Sequence, residues 1–165
     1  MNGSPTTFDA ADLDLAARIV TALVWVVAAG LAAGGAIAFG SGARPAGVVL
    51  ILVGLSLAAL HAWLRRMEPR SYVVEDYELS ILRRSASPRR FVGSLENPHR
   101  GALGWRIAGD GGGYGYLGRF RAEGCTVSAY VTDRARVVLL EVGDTALAVS
   151  PDDPDDFVER VGHGA

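Results

Sequence analysis

Residues 19–64 read IVTALVWVVAAGLAAGGAIAFGSGARPAGVVLILVGLSLAALHAWL, and Arg44 is the one charged side chain among them. About 20 apolar residues match the roughly 30 Å hydrocarbon core of a bilayer, so each of the runs 19–43 and 45–64 is long enough to cross. The link Gly40-Ser41-Gly42-Ala43-Arg44 is too short to carry the chain back over that distance. The stretch therefore predicts a transmembrane helical hairpin over residues 15–66, with both outer ends on one face. Everything after it is expected to be a water-soluble portion held at that face.

Charge follows the same division. Residues 65–150 carry 13 Arg against 10 acids, and the last 15 residues carry five acids against Arg160 alone. Arg18, Arg65, Arg66 and Arg70 flank the outer ends of the hairpin, whereas Arg44 stands alone in the link. By the positive-inside rule, both termini and the soluble portion face the cytoplasm of a multi-pass membrane protein. Residues 1–14 are polar and acidic and are expected to be a mobile tail. Ala36-Ile37-Ala38 has the spacing of a signal-peptide cleavage site, but the leading segment is acidic and the apolar run exceeds a signal core of about 7–15 residues. A retained span is the reading.

Small residues mark the first span. Gly30 and Gly34 stand four apart, a spacing that lets helix backbones approach closely in lipid. They are expected either to pack on the second span or to form a homodimer seam. Trp63 suits the headgroup level, and His61 beside it is expected to be partly wetted.

From residue 71 the texture changes to short alternating segments split by turns, which predicts a small β unit. Strands are expected at 72–74, 79–82, 90–95, 103–107, 116–122, 125–131, 137–142 and 145–149. Asn97-Pro98-His99-Arg100-Gly101 is expected to break the pattern, and residues 137–142 to form the most buried strand. Cys125 is the single cysteine, so a disulfide within one chain is excluded, and its apolar surroundings predict a buried small hydrophobe. Ser150-Pro151-Asp152-Asp153-Pro154-Asp155-Asp156 precedes Phe157, Val158 and Val161. Acids and proline at its start predict a helix over about 153–161 with those three residues inward.

This layout resembles the pleckstrin-homology-like (PH-like) domains of bacteria and archaea. The resemblance rests on Tyr72-Val73-Val74-Glu75-Asp76-Tyr77-Glu78-Leu79-Ser80-Ile81, and on Gly118-Arg119-Phe120-Arg121 through Tyr130-Val131-Thr132-Asp133-Arg134 to Val137-Val138-Leu139-Leu140. It closes on residues 149–157 and covers about 71–162. It implies an α+β chain: a two-helix transmembrane hairpin, then a small antiparallel β-barrel or sandwich capped by a C-terminal helix. It implies a binding or scaffolding role at the membrane, without implying catalysis.

Reactive chemistry finds little support. Residues 109–115, GDGGGYG, lack the following helix and the Lys of a phosphate-binding loop, so a flexible β-connection is expected, with a lid over a ligand as the sharper alternative. The acids at 152–156 do not follow the spacing of a calcium loop. No metal site, catalytic residue or cofactor is expected, and no nucleic-acid partner. The cluster Arg83, Arg84, Arg89 and Arg90 flanks one turn. Guanidinium groups there suit a solvated turn, anionic lipid headgroups, or an acidic protein partner. The expected function is a non-catalytic, membrane-anchored binding or scaffolding module, whose partners are the bilayer and possible anionic headgroups. The alternative is a structural subunit that assembles through its hairpin, as a homodimer or with a membrane-protein partner.

Overall fold

The computed structural model describes residues 5–75 and 77–163. It begins with a strand, β1 (Thr6–Asp9), where a mobile tail is expected. Two long helices follow, α1 (Leu15–Gly40) and α2 (Arg44–Arg66), then β2 (Pro69–Glu75), β3 (Glu78–Arg83) and β4 (Arg89–Val92). The chain continues with β5 (Leu95–Arg100), β6 (Arg106–Gly111), β7 (Tyr116–Ala122) and β8 (Cys125–Val131). It ends with β9 (Val138–Val142), β10 (Thr145–Val149) and α3 (Pro154–His163).

The strands form two sheets, ordered β1-β2-β3-β4 and β5-β9-β10-β8-β7-β6. Every pairing is antiparallel except β10 on β8. The sheets are open and do not close on each other, so of the two expected forms the sandwich is the nearer. Tyr72, Leu79 and Ile81 of the first sheet meet Val138, Leu140 and Val149 of the second in one core. Phe157 and Val161 of α3 enter the same core, with Val158 at its edge, as the spacing of these residues predicts. Leu139 and Ala148 point the other way, into a second cluster with Phe120 and Val131. Strand β9 is thus buried on both faces, which is why its sequence is apolar without alternation.

The strand expected over 103–107 lies later, as β6 at Arg106–Gly111, and two other departures have local causes. Residues 97–100 do not break the pattern but belong to β5, where a register shift between Glu96 and His99 accommodates Pro98. Asn97 there has φ 51°, a left-handed conformation that Asn tolerates. Cys125 is exposed rather than buried, because it opens β8 beside the Glu123-Gly124 turn, past the end of the core. Asp76, in the expected turn after β2, and residues 1–4 of the expected tail lie outside the described residues.

β1 is the consequential surprise. It pairs antiparallel with β2, Phe8 opposite Tyr72, although the whole helical hairpin separates them in sequence. The Phe8 side chain turns into the core, its ring 4.7 Å from that of Phe157 in an edge-to-face arrangement. The hairpin is therefore an insertion between two paired strands, and both its ends are fixed to the β unit.

Polar groups finish the attachment. The Ala11 N–H donates to Ser150 O, the Thr132 hydroxyl to Ala11 O at 2.6 Å, and the Asp14 N–H to Thr132 O. The Asp14 carboxylate caps α1 by accepting from the Ala17 N–H at 2.7 Å, and its other oxygen accepts from the Tyr116 hydroxyl at 2.9 Å. Burial, together with this carboxylate, pushes the Tyr116 hydroxyl up to about 12, so it stays a donor at physiological pH.

The two helices pack through glycines other than the expected pair. A Cβ on Gly54 would meet Ala28 O at 2.7 Å, and one on Gly47 would meet Gly35 O at 2.6 Å. A Cβ on Gly30 or Gly34 would have nothing within 4 Å. The seam inside the hairpin thus runs through Ala28 and Gly35 against Gly54 and Gly47.

Replacing Asp14 by Ala removes a helix cap and the Tyr116 acceptor, and should destabilise the protein by about 2 kcal/mol in detergent-solubilised unfolding, while Asp14→Asn, whose single amide oxygen keeps the helix cap and loses only the acceptor for Tyr116, should cost about half as much. Gly54→Leu should lower the unfolding temperature of the solubilised protein sharply, and Gly30→Leu should leave it unchanged. Equal effects of the two leucines would contradict the packing described.

Candidate functional site

The β3–β4 turn that carries the arginine cluster lies at the foot of α2. The Ser85 N–H donates to Arg66 O, and the Arg84 N–H donates to Glu68 O. The turn is fixed there because β3 returns antiparallel to β2, and β2 starts three residues after α2 ends. The four arginines do not converge on one point. Arg83 donates to Ser87 O within its own turn. Arg84 Nε donates to Glu68 Oε2 at 2.7 Å, a bond to a largely buried carboxylate that holds the guanidinium all the more firmly protonated. Arg89 lies over the Phe91 ring, and Arg90 sits 3.6 Å from Glu78.

Arg84 instead joins residues distant in sequence. A cleft of about 330 Å³ at the hairpin's foot is lined by Asp12 and Arg18 on the β1–α1 side and by Glu68, Arg70 and Arg84 on the other. Arg18 reaches Asp12 at 3.4 Å, a solvent-exposed pair worth little. Arg84 is tied to Glu68, and among the described residues no ion pair involves Arg70. Three guanidinium groups face two carboxylates, so the cleft suits an anion carrying several acceptor oxygens. Sequence reasoning gave Arg18 and Arg70 a topological role only. Their convergence depends on the β1–β2 pairing, which leaves no clear periodic signal.

The glycine-rich segment 109–115 connects two strands, as expected, but it is docked and not free. It is the β6–β7 turn, closed by the Gly112 N–H donating to Gly115 O, and it rests against the helices. The Thr21 hydroxyl of α1 donates to Gly113 O, and Trp25 Nε1 donates to the Tyr114 hydroxyl at 3.2 Å. The Asp110 carboxylate accepts from the Gly113 and Tyr114 N–H groups and so shapes the turn. Glycine is required at Gly115, where φ is 112° and a Cβ would lie 2.5 Å from Val131 O.

His61 takes part in this contact and is not wetted. It is 3% exposed, its ring 4.6 Å from that of Tyr114 and 5.5 Å from that of Trp25. Its Nε2 has no hydrogen-bond partner. The two histidines of the β unit stand apart. His99 Nε2 lies 3.2 Å from Glu123 Oε2 on an exposed edge, and His163 ends α3.

The acids at 152–156 serve the helix start and surface pairs. The Asp153 carboxylate accepts from the Asp155 and Asp156 N–H groups, Asp155 meets Arg100, and Asp156 meets Arg160. Among the described residues no group of three or more His, Cys, Asp or Glu is arranged to hold a metal ion.

No curated protein and no solved structure matches the chain. The family model described as Bacterial PH domain matches residues 71–163, the span of β2 through α3 apart from the first residues of β2. That covers more than half of the sequence, and the chain belongs to the bacterial PH domain family.

Proposed function

We propose that this chain is a non-catalytic binding and scaffolding module, fixed to the cytoplasmic face of the cell membrane by its helical hairpin. The observation that carries this reading is the exposure of the hairpin. The most apolar windows of α1 and α2 are only 11% and 17% buried, although their mean hydropathies are 2.1 and 2.2. A core helix of a water-soluble protein is equally apolar but covered by its own fold. Soluble monomers rarely leave an apolar surface of this size open to water, and lipid is the covering that this surface suits.

Length supports the same placement. α1 has 26 residues and a rise of about 39 Å, some 9 Å more than a typical hydrocarbon core. With the Gly42 turn at the far interface, that excess brings the first turns of α1 to the near headgroup region. Arg18, Arg65, Arg66, Arg70 and the β3–β4 turn with Arg83, Arg84 and Arg89 then rim the membrane surface. Each basic side chain near an anionic leaflet contributes about 1 kcal/mol of attraction. The chemistry of the rim favours anionic headgroups over an acidic protein partner, because its guanidinium groups surround the foot of the membrane helices.

Cys125 is exposed and is the single cysteine, which makes it a natural topology probe. A membrane-impermeant maleimide should label it in inverted vesicles and not in right-side-out ones. The protein should also stay with the membrane pellet through a carbonate wash. Labelling from the outside would reverse the orientation, and release by carbonate would remove the spanning hairpin.

A structural-subunit reading is favoured by one observation, the open face at Gly30 and Gly34. Their small-residue spacing lies off the internal seam and suits a second helix approaching in lipid. In a Cys125→Ala background, Gly30→Cys should then crosslink to a second copy or a membrane partner under oxidation. A Cys introduced at Gly54, inside the hairpin seam, should not.

A further inference from the structure

A second cleft, about 280 Å³, lies between the two long helices and the glycine-rich turn. Its walls are Val20 and Val24 of α1 and Leu57, Leu60 and Leu64 of α2. These positions run lengthwise, so the trough follows the helix axes for about 10 Å. Its rim is polar: Arg106 and Asp110 stand there beside the backbone of residues 111–113. Arg106 is exposed, and Nη1 donates to Gly109 O at 3.1 Å, which leaves most of the guanidinium donors unused.

His61 also lines this cleft. Its Nε2 is buried and has no partner, a state that is costly and uncommon in folded proteins. An apolar trough, a guanidinium at its mouth and an unmet imidazole nitrogen together describe a site for one kind of molecule. That molecule has a hydrocarbon chain, a phosphate at its head, and oxygen atoms at the joint between them.

We propose that this cleft holds a single glycerophospholipid drawn from the leaflet around the hairpin. Its phosphate rests on Arg106. One acyl chain lies along Val20, Val24 and Leu57. An ester carbonyl accepts from His61 in the Nε2–H tautomer. The glycine-rich turn forms the wall that keeps this lipid apart from its neighbours. The site differs from the basic cleft at the hairpin's foot, whose lining is dominated by Asp12, Arg18, Glu68, Arg70 and Arg84 and has no run of aliphatic side chains for a chain to follow. The inference rests on the spanning hairpin proposed above.

The test uses the full-length protein, extracted from its membranes in mild detergent and washed by repeated gel filtration. Bound phospholipid is then measured by phosphorus assay and identified by mass spectrometry. The wild type should retain a stoichiometric phospholipid that excess inorganic phosphate does not displace. Arg106→Gln removes a charge-assisted bond and should reduce retention about tenfold. Leu57→Trp, which fills the trough, should do the same, whereas Arg44→Gln at the far end should retain lipid like the wild type. The gel-filtration profile of each variant reports its folding. Wild-type retention in either cleft variant, or no stoichiometric lipid in the wild type, overturns the proposal. Displacement by inorganic phosphate would assign the site to a free anion instead. Because carbonate extraction tests the hairpin separately, loss of the lipid site alone is distinguishable from loss of the membrane reading.

Discussion

The pairing of β1 with β2 is the constraint on which the rest of the molecule depends. Two strands with the register Thr6 opposite Val74 through Asp9 opposite Ser71 enclose a hairpin of two long helices. A domain tied to a membrane helix at one end hangs from a linker and samples many orientations. Here the chain enters the hairpin from one strand and leaves it into that strand's neighbour, so the sheet and the helix pair share a base. The segment between β1 and α1 is bonded to Ser150 and Thr132, the residues that directly follow β10 and β8 of the far sheet. Both sheets are thereby keyed to the direction in which α1 sets out.

That fixed base explains why the candidate sites lie where they do. The β3–β4 turn meets the foot of α2 because β3 must return along β2. The β6–β7 turn reaches Thr21, Trp25 and His61 because β7 is joined to Asp14 through Tyr116, about two helical turns before those contacts begin. The docked turn in turn covers His61 and forms one wall of a cleft that the helices alone would leave as an open furrow. The basic side chains gathered at the foot come from the first turn of α1, from β2 and from the β3–β4 turn. None of these converges on the others without the paired strands.

The parts of this organisation that were legible in the sequence are those encoded by uninterrupted or strictly alternating patterns. The hairpin was legible because two apolar runs flank a link too short for any other route. β7 and β8 were legible because their buried residues fall on alternate positions between glycine-containing turns, β10 because it is an apolar run directly after the Gly143-Asp144 turn, and α3 because proline and acids precede an apolar stripe. The features that escaped are those set by partners distant in the chain. Thr6-Thr7-Phe8-Asp9 is short and has one apolar residue, so nothing local separates it from a polar tail. The glycines of α1 show that close packing occurs but not on which face, since Gly30, Gly34 and Gly35 are equally small. Only the position of α2 selects Gly35. The arginine turn was legible as a basic cluster, but the grouping of Arg84 with Arg18 and Arg70 follows from topology.

A module held at three places (the paired strands, the Asp14 bonds and the glycine-rich turn) presents its basic rim in one fixed attitude. Fixing the attitude in advance has an energetic consequence for binding. A tethered but swinging domain must lose orientational freedom when it engages a surface, and that loss subtracts from every contact it makes. In this chain the ordering is completed during folding, by burial of Phe8 against Phe157 and by hydrogen bonds around Thr132 and Ser150. On the membrane reading proposed above, contacts too weak to order a free domain, such as single exposed guanidinium groups on headgroups, would then meet little entropic opposition. The pairing of a family fold usually described as a binding module with an inserted hairpin thus makes physical sense. The insertion supplies the orientation, and the fold is left to supply the surface.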